Sequence, residues 1–399
     1  MKKSFIFSRS MLLREKASKW VNRSRGREAR VMDKGKTYPC LYMAIVFLSS
    51  VFFAAAIFAI PFGNSINSYI VATVAGSGIR GSLDGLKGKA QFNWPTGVAV
   101  DGKGNIYVAD FANNLIRRIS NSGEVATFIG SGYAAFADGN GRNAHLKGPD
   151  NIAMSDDGNL YVADADNFRI RKITPDGMIT TIAGSGLMGY KDGDGKSARF
   201  AYPTGVAVDS HGNVYIADRG SHTIRKIAAD GNVSTIAGNG FPGYVDGNGK
   251  MTHLRQPISV AVDHDDNIYV ADSGNNAIRK ITPEGVVSTL AGSGRFGYKD
   301  GTGKDAFFSW PTGIAADNVG NIYVCDSRNN RIRRITPDGV VSTVAGISIP
   351  GFADGPGYHA MFSFPTGIEV DRVGNIYVAD SGNNRIRKII QGGILQAKR

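Results

Sequence analysis

Cysteine is almost missing from this sequence: two in 399 residues, Cys40 and Cys325. Cys40 opens an apolar run, so the rest of the chain holds one thiol and cannot form an internal disulfide, which excludes a disulfide scaffold. Tryptophan and histidine are scarce, at 3 and 6 residues. No G-x-S-x-G, H-E-x-x-H, P-loop or C-x-x-C string occurs, so the usual sequence marks of a serine hydrolase, a zinc protease, a nucleotide phosphate cradle and a dithiol site are lacking. Helical periodicity of useful length is also absent from the repeated region described below.

Basic charge is in excess, at a net +12, but unevenly placed. Residues 1–38 carry 12 Lys/Arg against 3 Asp/Glu, and the remainder carries 34 against 31. The near balance after residue 38 argues against a nucleic-acid partner. Behind the basic tail, CLYMAIVFLSSVFFAAAIFAI runs from Cys40 to Ile60, 21 residues without a charge. About 20 helical residues span a bilayer core. Residues 39–61 are therefore expected to be a transmembrane signal-anchor, with residues 1–38 as a cytosolic tail by the positive-inside rule and the chain after it extracytoplasmic. The alternatives are a secreted protein released by signal cleavage near Ala59 and an organellar presequence.

Glycine is abundant, 52 residues, and falls at fixed places. Pro95, Pro149, Pro203, Pro257, Pro311 and Pro365 are each 54 residues apart. The same spacing governs Asp110, Asp164, Asp218, Asp272, Asp326 and Asp380, and again Arg117, Arg171, Arg225, Arg279, Arg333 and Arg387. Six units run from Val71 to Ile394 without insertion or deletion. One unit reads as four short strands: TGIAAD, IYVCD, RIRRI and VVSTVAG after Pro311, separated by tight turns. Such a sheet, apolar on both faces, must be covered on both sides by its neighbours. The pattern predicts an all-β, six-bladed β-propeller over residues 71–394, after a linker at 62–70 and before a tail at 395–399. The fourth-strand pattern follows the other three only five times. Its sixth copy is VATVAG at Val71–Gly76, which is expected to pair with the last blade and close the ring; GGILQ at Gly392–Gln396 is the rival for that place.

The strings PTGVAVD, GNIYVAD and NNRIRKITPDG closely resemble the NHL repeat family, over Val71 to Ile394. The resemblance implies a six-bladed propeller that serves as a binding platform more often than as an enzyme. Some NHL-like lyases hold a zinc through channel histidines, but none of the six histidines here falls on an innermost strand. Gluconolactonase-type propellers hold a channel metal through carboxylates and Asn, a set that this sequence does not complete. No cofactor is expected, and a channel divalent metal enters only under the alternative of an extracytoplasmic lactonase- or lyase-like enzyme.

Six equal Asp–Arg pairs do not make one asymmetric catalytic constellation. They are expected to be structural, the Asp ending the second strand and the Arg lying across a turn on the third; a ring of ligand-facing groups is the other reading. The repeated tyrosines from Tyr107 to Tyr377 read as packing between blades, and the Asp-Gly pairs from Asp84 to Asp354 as turns. Function is sought where symmetry breaks. The residue before each Pro is Trp94, Gly148, Tyr202, Gln256, Trp310 or Phe364, at the rim of one face. Trp94, Tyr202, Trp310 and Phe364, with Arg219, His222, Arg328 and Arg331 on the neighbouring turns, are the candidate contacts for a protein, peptide or glycan. Asp150 and Glu369, charges on innermost strands, are the asymmetric polar candidates in the channel. No oligomeric state follows from the sequence.

Overall fold

The computed structural model describes residues Ser68–Gly392. The tail and the candidate anchor at Cys40–Ile60 lie outside the described residues, and among the described residues no helix is long and apolar enough to cross a membrane. Helical structure there is confined to three-residue 3-10 turns.

Six antiparallel sheets form the blades. In blade one the innermost strand is Pro95–Val100, followed outward by Ile106–Asp110, Leu115–Ile119 and Glu124–Ile129. The second strand is buried at every position in every blade, as its two-sided apolar pattern requires. The core lies between blades: Ala99, Tyr107 and Ala109 of blade one pack with Leu146, Ile152, Leu160 and Val162 of blade two. Innermost strands approach so closely that a Cβ on Gly313 or Gly367 would meet the next blade's carbonyl at 2.1 Å. Glycine is obligatory there for space.

Each sheet has five strands, where the sequence pattern suggested four. The fifth is a two-residue edge strand, Gly85–Leu86 in blade one and Gly355–Pro356 in blade six. It begins at the Asp-Gly pair that reads as a turn in sequence. The Asp before it is held by the arginine and threonine of the same blade, which lays the loop along the fourth strand and covers an exposed edge. Ser68–Ala75 supplies the fourth strand of blade six and pairs antiparallel with Arg385–Gly392, with Val71 opposite Ile389. The two ends of the propeller thus share one blade and close the ring. Gly392 belongs to the third strand of that blade, opposite Ser68.

The repeated arginine holds each blade together. Arg117 is fully buried. It donates to Asp110 at 2.8 Å, to Asp84 at 2.6 Å, and to the carbonyls of Gln91 and Leu83 at 2.9 and 3.2 Å. Its guanidinium lies 5.3 Å from the centre of the Phe92 ring. Asp110 in turn accepts from the Asn93 backbone and the Asn113 side chain, both at 2.8 Å. All six blades repeat the double carboxylate grip. Burial pushes Asp110 up to about 6 against the pull of Asn93, Asn113 and Arg117, leaving it ionised at neutral pH.

Removing such an arginine strands two carboxylates, one of them in the core. Arg279→Leu is expected to destabilise the propeller by about 3–5 kcal/mol. Asp246→Asn, at the solvent end of the same network, is expected to cost about 1 kcal/mol. Urea unfolding of both variants checks the ordering, and equal costs would contradict it.

Candidate functional site

The innermost strands run from an upper face, where the long loops enter, to a lower face. On the upper face the six residues before the prolines form a ring about the channel mouth. All six have left-handed backbone, including Trp94 at φ 56°, Trp310 at 53° and Phe364 at 48°. Bulky side chains rarely adopt this region, so the surroundings must impose it. In five of the six a latch from the preceding blade holds the backbone N–H, and Tyr202, at φ 75°, has none. Asn384 accepts from the Trp94 backbone N–H, Asn276 from Trp310 and Asn330 from Phe364, each at 2.9 Å.

The sequence candidates divide in the structure. Trp94 and Phe364 pair across the seam of blades six and one, ring centres 5.9 Å apart. Arg328 stands 4.8 Å from the Trp310 ring centre, and Arg219 stands 6.0 Å from that of Tyr202. These six half-buried or exposed side chains surround one mouth. His222 is instead a latch: its Nδ1 accepts from the Gln256 backbone at 3.0 Å, and burial, then Arg255, hold its pKa down. Arg331 points outward, stacked 4.0 Å from the Tyr298 ring centre and donating to the Gly346 carbonyl.

Asp150 and Glu369 are not brought together. Asp150 opens its strand at the upper mouth, where burial raises its pKa to about 7 while Arg219 lowers it and Asp166 raises it. Glu369 sits near the lower end of its strand, lining a channel cavity of about 190 Å³ whose walls are largely Val, Ala and Ile. Burial lifts it to about 7 as well; the Val370 N–H opposes this and Asp371 adds to it. Two carboxylates at opposite ends of a channel do not fit one metal. Among the described residues, three metal-type ligands converge only at Asp209, His211 and Asp266, half-buried or exposed on the lower face. The sequence motif DHDDN is a turn, with Asp263 accepting from the backbone N–H groups of Asp265 and Asn267. The repeated tyrosines pack between blades, and four of them also donate to such turn aspartates, as Tyr269 does to Asp263 at 2.9 Å.

Two features were not read from the sequence. One is an outer ring of apolar loop tips. Five of the six loops are tied to the upper face by an Asn of the turn they pass, as Asn113 donates to the Gly81 carbonyl at 2.8 Å and Asn383 to that of Gly351 at 2.7 Å; blade three has Ser221 there. The tips beside these ties stand out in water: Ile79 63%, Tyr133 75%, Phe241 70% and Phe296 81% exposed. The other feature is one dissimilar seam. Three kinds of polar latch join neighbouring blades: the Asn or His just described; a Thr, as Thr204 to the Ile258 carbonyl at 2.8 Å; and a Ser, as Ser327 to the Pro365 carbonyl at 2.6 Å. From blade two to blade three all three are missing, because Phe168, Asp150 and Ala165 occupy the positions. The Asp166 carboxylate joins Asp150 and Arg219 there, and the three surround Tyr202. Burial raises the Tyr202 hydroxyl to about 12; Asp166 and Asp150 add to this, and Arg219 opposes it.

The NHL repeat model matches residues 92–119, 200–227, 254–281, 308–335 and 362–389, which lie in blades one, three, four, five and six. The chain is 32% identical over 278 residues to Protein SUPPRESSOR OF QUENCHING 1 of Arabidopsis thaliana, covering 65% of this chain and 26% of that protein. It is 29% identical over 384 residues to Teneurin-3 of Mus musculus, covering 82% of this chain and 14% of that protein. It thus spans about a quarter or less of the length of these relatives. An auxiliary nutrient binding protein from Bacteroides thetaiotaomicron has a similar solved structure, with a TM-score of 0.61 at 18% identity over 81% of this chain and 76% of that one. At that identity the likeness is one of fold.

The unpaired Glu369 predicts a pH dependence. A carboxyl whose pKa in the fold lies above its ordinary 4.5 keeps its proton longer there than in the unfolded chain. Stability is then highest below that ordinary value and falls as pH rises through about 7. Glu369→Gln removes this loss, so it should be more stable than wild type at pH near 8, by roughly 1–2 kcal/mol once water in the channel is allowed for. Near pH 4 it should match wild type. Chemical denaturation at the two pH values checks this, and an unchanged difference between them would contradict it.

Proposed function

The chain is a member of the NHL repeat family, and on that premise we propose that its propeller is a non-catalytic binding platform for a protein, peptide or glycan partner. The upper face is the binding face. One observation carries this reading: the buried Asp–Arg frame repeats in all six blades, and on it a single mouth gathers the aromatic and arginine side chains Trp94, Phe364, Tyr202, Trp310, Arg219 and Arg328. Aromatic and arginine side chains at the centre of a surface are the usual anchors of binding energy. The apolar tips around them enlarge the contact area, and exposed apolar groups concentrated on one face mark an interaction surface. Similar fold in a nutrient-binding protein is consistent with such use. The 39–61 segment tethers the platform to a membrane, with the propeller on the extracytoplasmic side.

Intact cells displaying the full chain, with digestion by added protease as the control for display, can be probed on peptide and glycan arrays. Wild-type cells should retain a defined subset, and Trp310→Ala/Arg328→Ala should weaken retention at least tenfold while leaving the propeller folded. Unaltered retention by the double variant would contradict the assignment of the mouth.

A further inference from the structure

We infer that the central channel, at the level of Glu369, holds a site for a small organic ammonium ion that carries hydroxyl groups. The inference goes beyond the binding platform of the upper face and stands or falls apart from it.

The site begins with one substitution in the repeat. The fifth residue of the innermost strand is alanine in five blades and Glu369 in the sixth. Ala99, Ala261 and Ala315 pack between blades. The longer glutamate reaches the channel. It lines the chamber of about 190 Å³ and, below it, a second chamber of about 240 Å³ that continues to the turns of the lower face. Met154, Val208, Val262, Ala316 and Glu369 are common to both, so the carboxylate stands where one chamber passes into the other. Its Oε1 accepts from the Val370 N–H at 3.1 Å, and its Oε2 accepts from no described residue. Arg372 lines the same lower chamber but holds Asp156 at 3.0 Å. A carboxylate half withdrawn from water is thus left without a cation, which costs free energy until one is supplied.

Strand edges make the rest of the chamber. Each innermost strand is last in its sheet, so one edge pairs with the second strand and the other faces the channel. The side chains of Ile152, Val206, Val260 and Ile314 turn into the cores between blades and are buried. What these strands leave to the channel is backbone, the alternate N–H and C=O groups of a free edge. The seam hydroxyls answer carbonyls of the first two residues of each strand, as Thr204 does at Ile258 and Ser327 at Pro365. The fourth to sixth residues, which line the chamber, keep their free groups for its contents.

Charge and hydrogen bonding together select the ligand. An anion would face Glu369 and, on its way in, Asp156, Asp209, Asp263 and Asp317 at the lower mouth. Those same groups draw cations toward the channel. A hydrocarbon would cover the strand edges without answering them. A metal ion would find a single carboxylate side chain in the upper chamber. An ammonium group supplies donors to Glu369 in a charge-assisted contact, and hydroxyl groups, which both donate and accept, answer the strand edges. Size agrees as well. A cavity of about 150 Å³ admits a benzene-sized body, so the upper chamber takes such a molecule and the lower one leaves room for its stem to continue.

The test uses the full chain at pH 8, where Glu369, raised by burial to about 7, is mostly ionised. The probes are 1-amino-1-deoxysorbitol, sorbitol and gluconate, which share a hydroxylated stem and end in an ammonium, a hydroxyl and a carboxylate. Affinities come from titration calorimetry. The amine should bind at least tenfold more tightly than sorbitol, and gluconate least. Glu369→Gln preserves shape, and Glu369→Ala installs the residue of the other five blades. Each should bring the amine and sorbitol within about twofold of each other, and near-UV circular dichroism reports whether each variant is folded. Absence of amine binding, or equal affinities for amine and sorbitol in the wild-type chain, would overturn the site. A preference for the amine that persists in folded Glu369→Gln would also overturn it. Displacement of the amine by an equal concentration of calcium or potassium chloride would overturn the choice of an organic cation, because a bare charge would then suffice.

Discussion

A buried arginine held by two aspartates is the contact on which each blade depends. The guanidinium is the largest fully buried group in the propeller. Taking a charge out of water costs several kcal/mol, so the position survives only where the surroundings compensate the charge. They do so from three directions, all meeting the two terminal nitrogens in Arg117. Asp110 and its equivalents come from the end of the second strand, Asp84 and its equivalents from the residue just before the edge strand, and backbone carbonyls from the long loop. One side chain therefore fixes a strand end, a sheet edge and the path of a loop of about twenty residues. Because the loop path is fixed, the residue before the proline arrives at the mouth with a set backbone, and the apolar tips stand at set places on the upper face. The frame is uniform so that the rim can vary.

Variation is concentrated at the junction of blades two and three. Elsewhere each seam keeps at least two kinds of polar latch, and there it keeps none. The residues that replace the latches, Asp150 and Phe168, cost inter-blade hydrogen bonds, and Asp150 adds an unpaired carboxylate on an innermost strand. Local departures from the rules that stabilise a fold tend to mark function. Gly148, the one rim position of the six without a side chain, lies in the same blade.

Much of this was legible in the sequence. The 54-residue period fixed the number of blades, and the orphan VATVAG copy pointed to the strand that closes the ring. Asp110 and Arg117 are seven residues apart across a tight turn, close enough to foretell their contact. The second carboxylate was not foretold, although Asp84 stands 33 residues before Arg117 in every copy as well. Asp-Gly reads as a turn by local chemistry, and only the closed blade brings that aspartate back to the arginine. The rim aromatics were found because they vary at an otherwise aligned position. His222 stands at the mouth as a latch on Gln256 and Arg331 lies against Tyr298, roles that sequence spacing does not give because it locates a turn but not the direction its side chains take. Phe168 and Asp166 escaped notice, since their meaning depends on which residue of the next blade they face.

The most direct test is to return blade two to the pattern of its neighbours. In Asp150→Thr/Phe168→Asn the hydroxyl and the amide acceptor that join the other seams are restored, and an unpaired charge is removed. If the dissimilar seam is kept for binding at the expense of stability, thermal unfolding of this variant should move to higher temperature than wild type while peptide or glycan retention at the mouth is lost. A lower unfolding temperature with retention unchanged would mean that Asp150 and Phe168 are the structural solution at that junction, and would contradict the account.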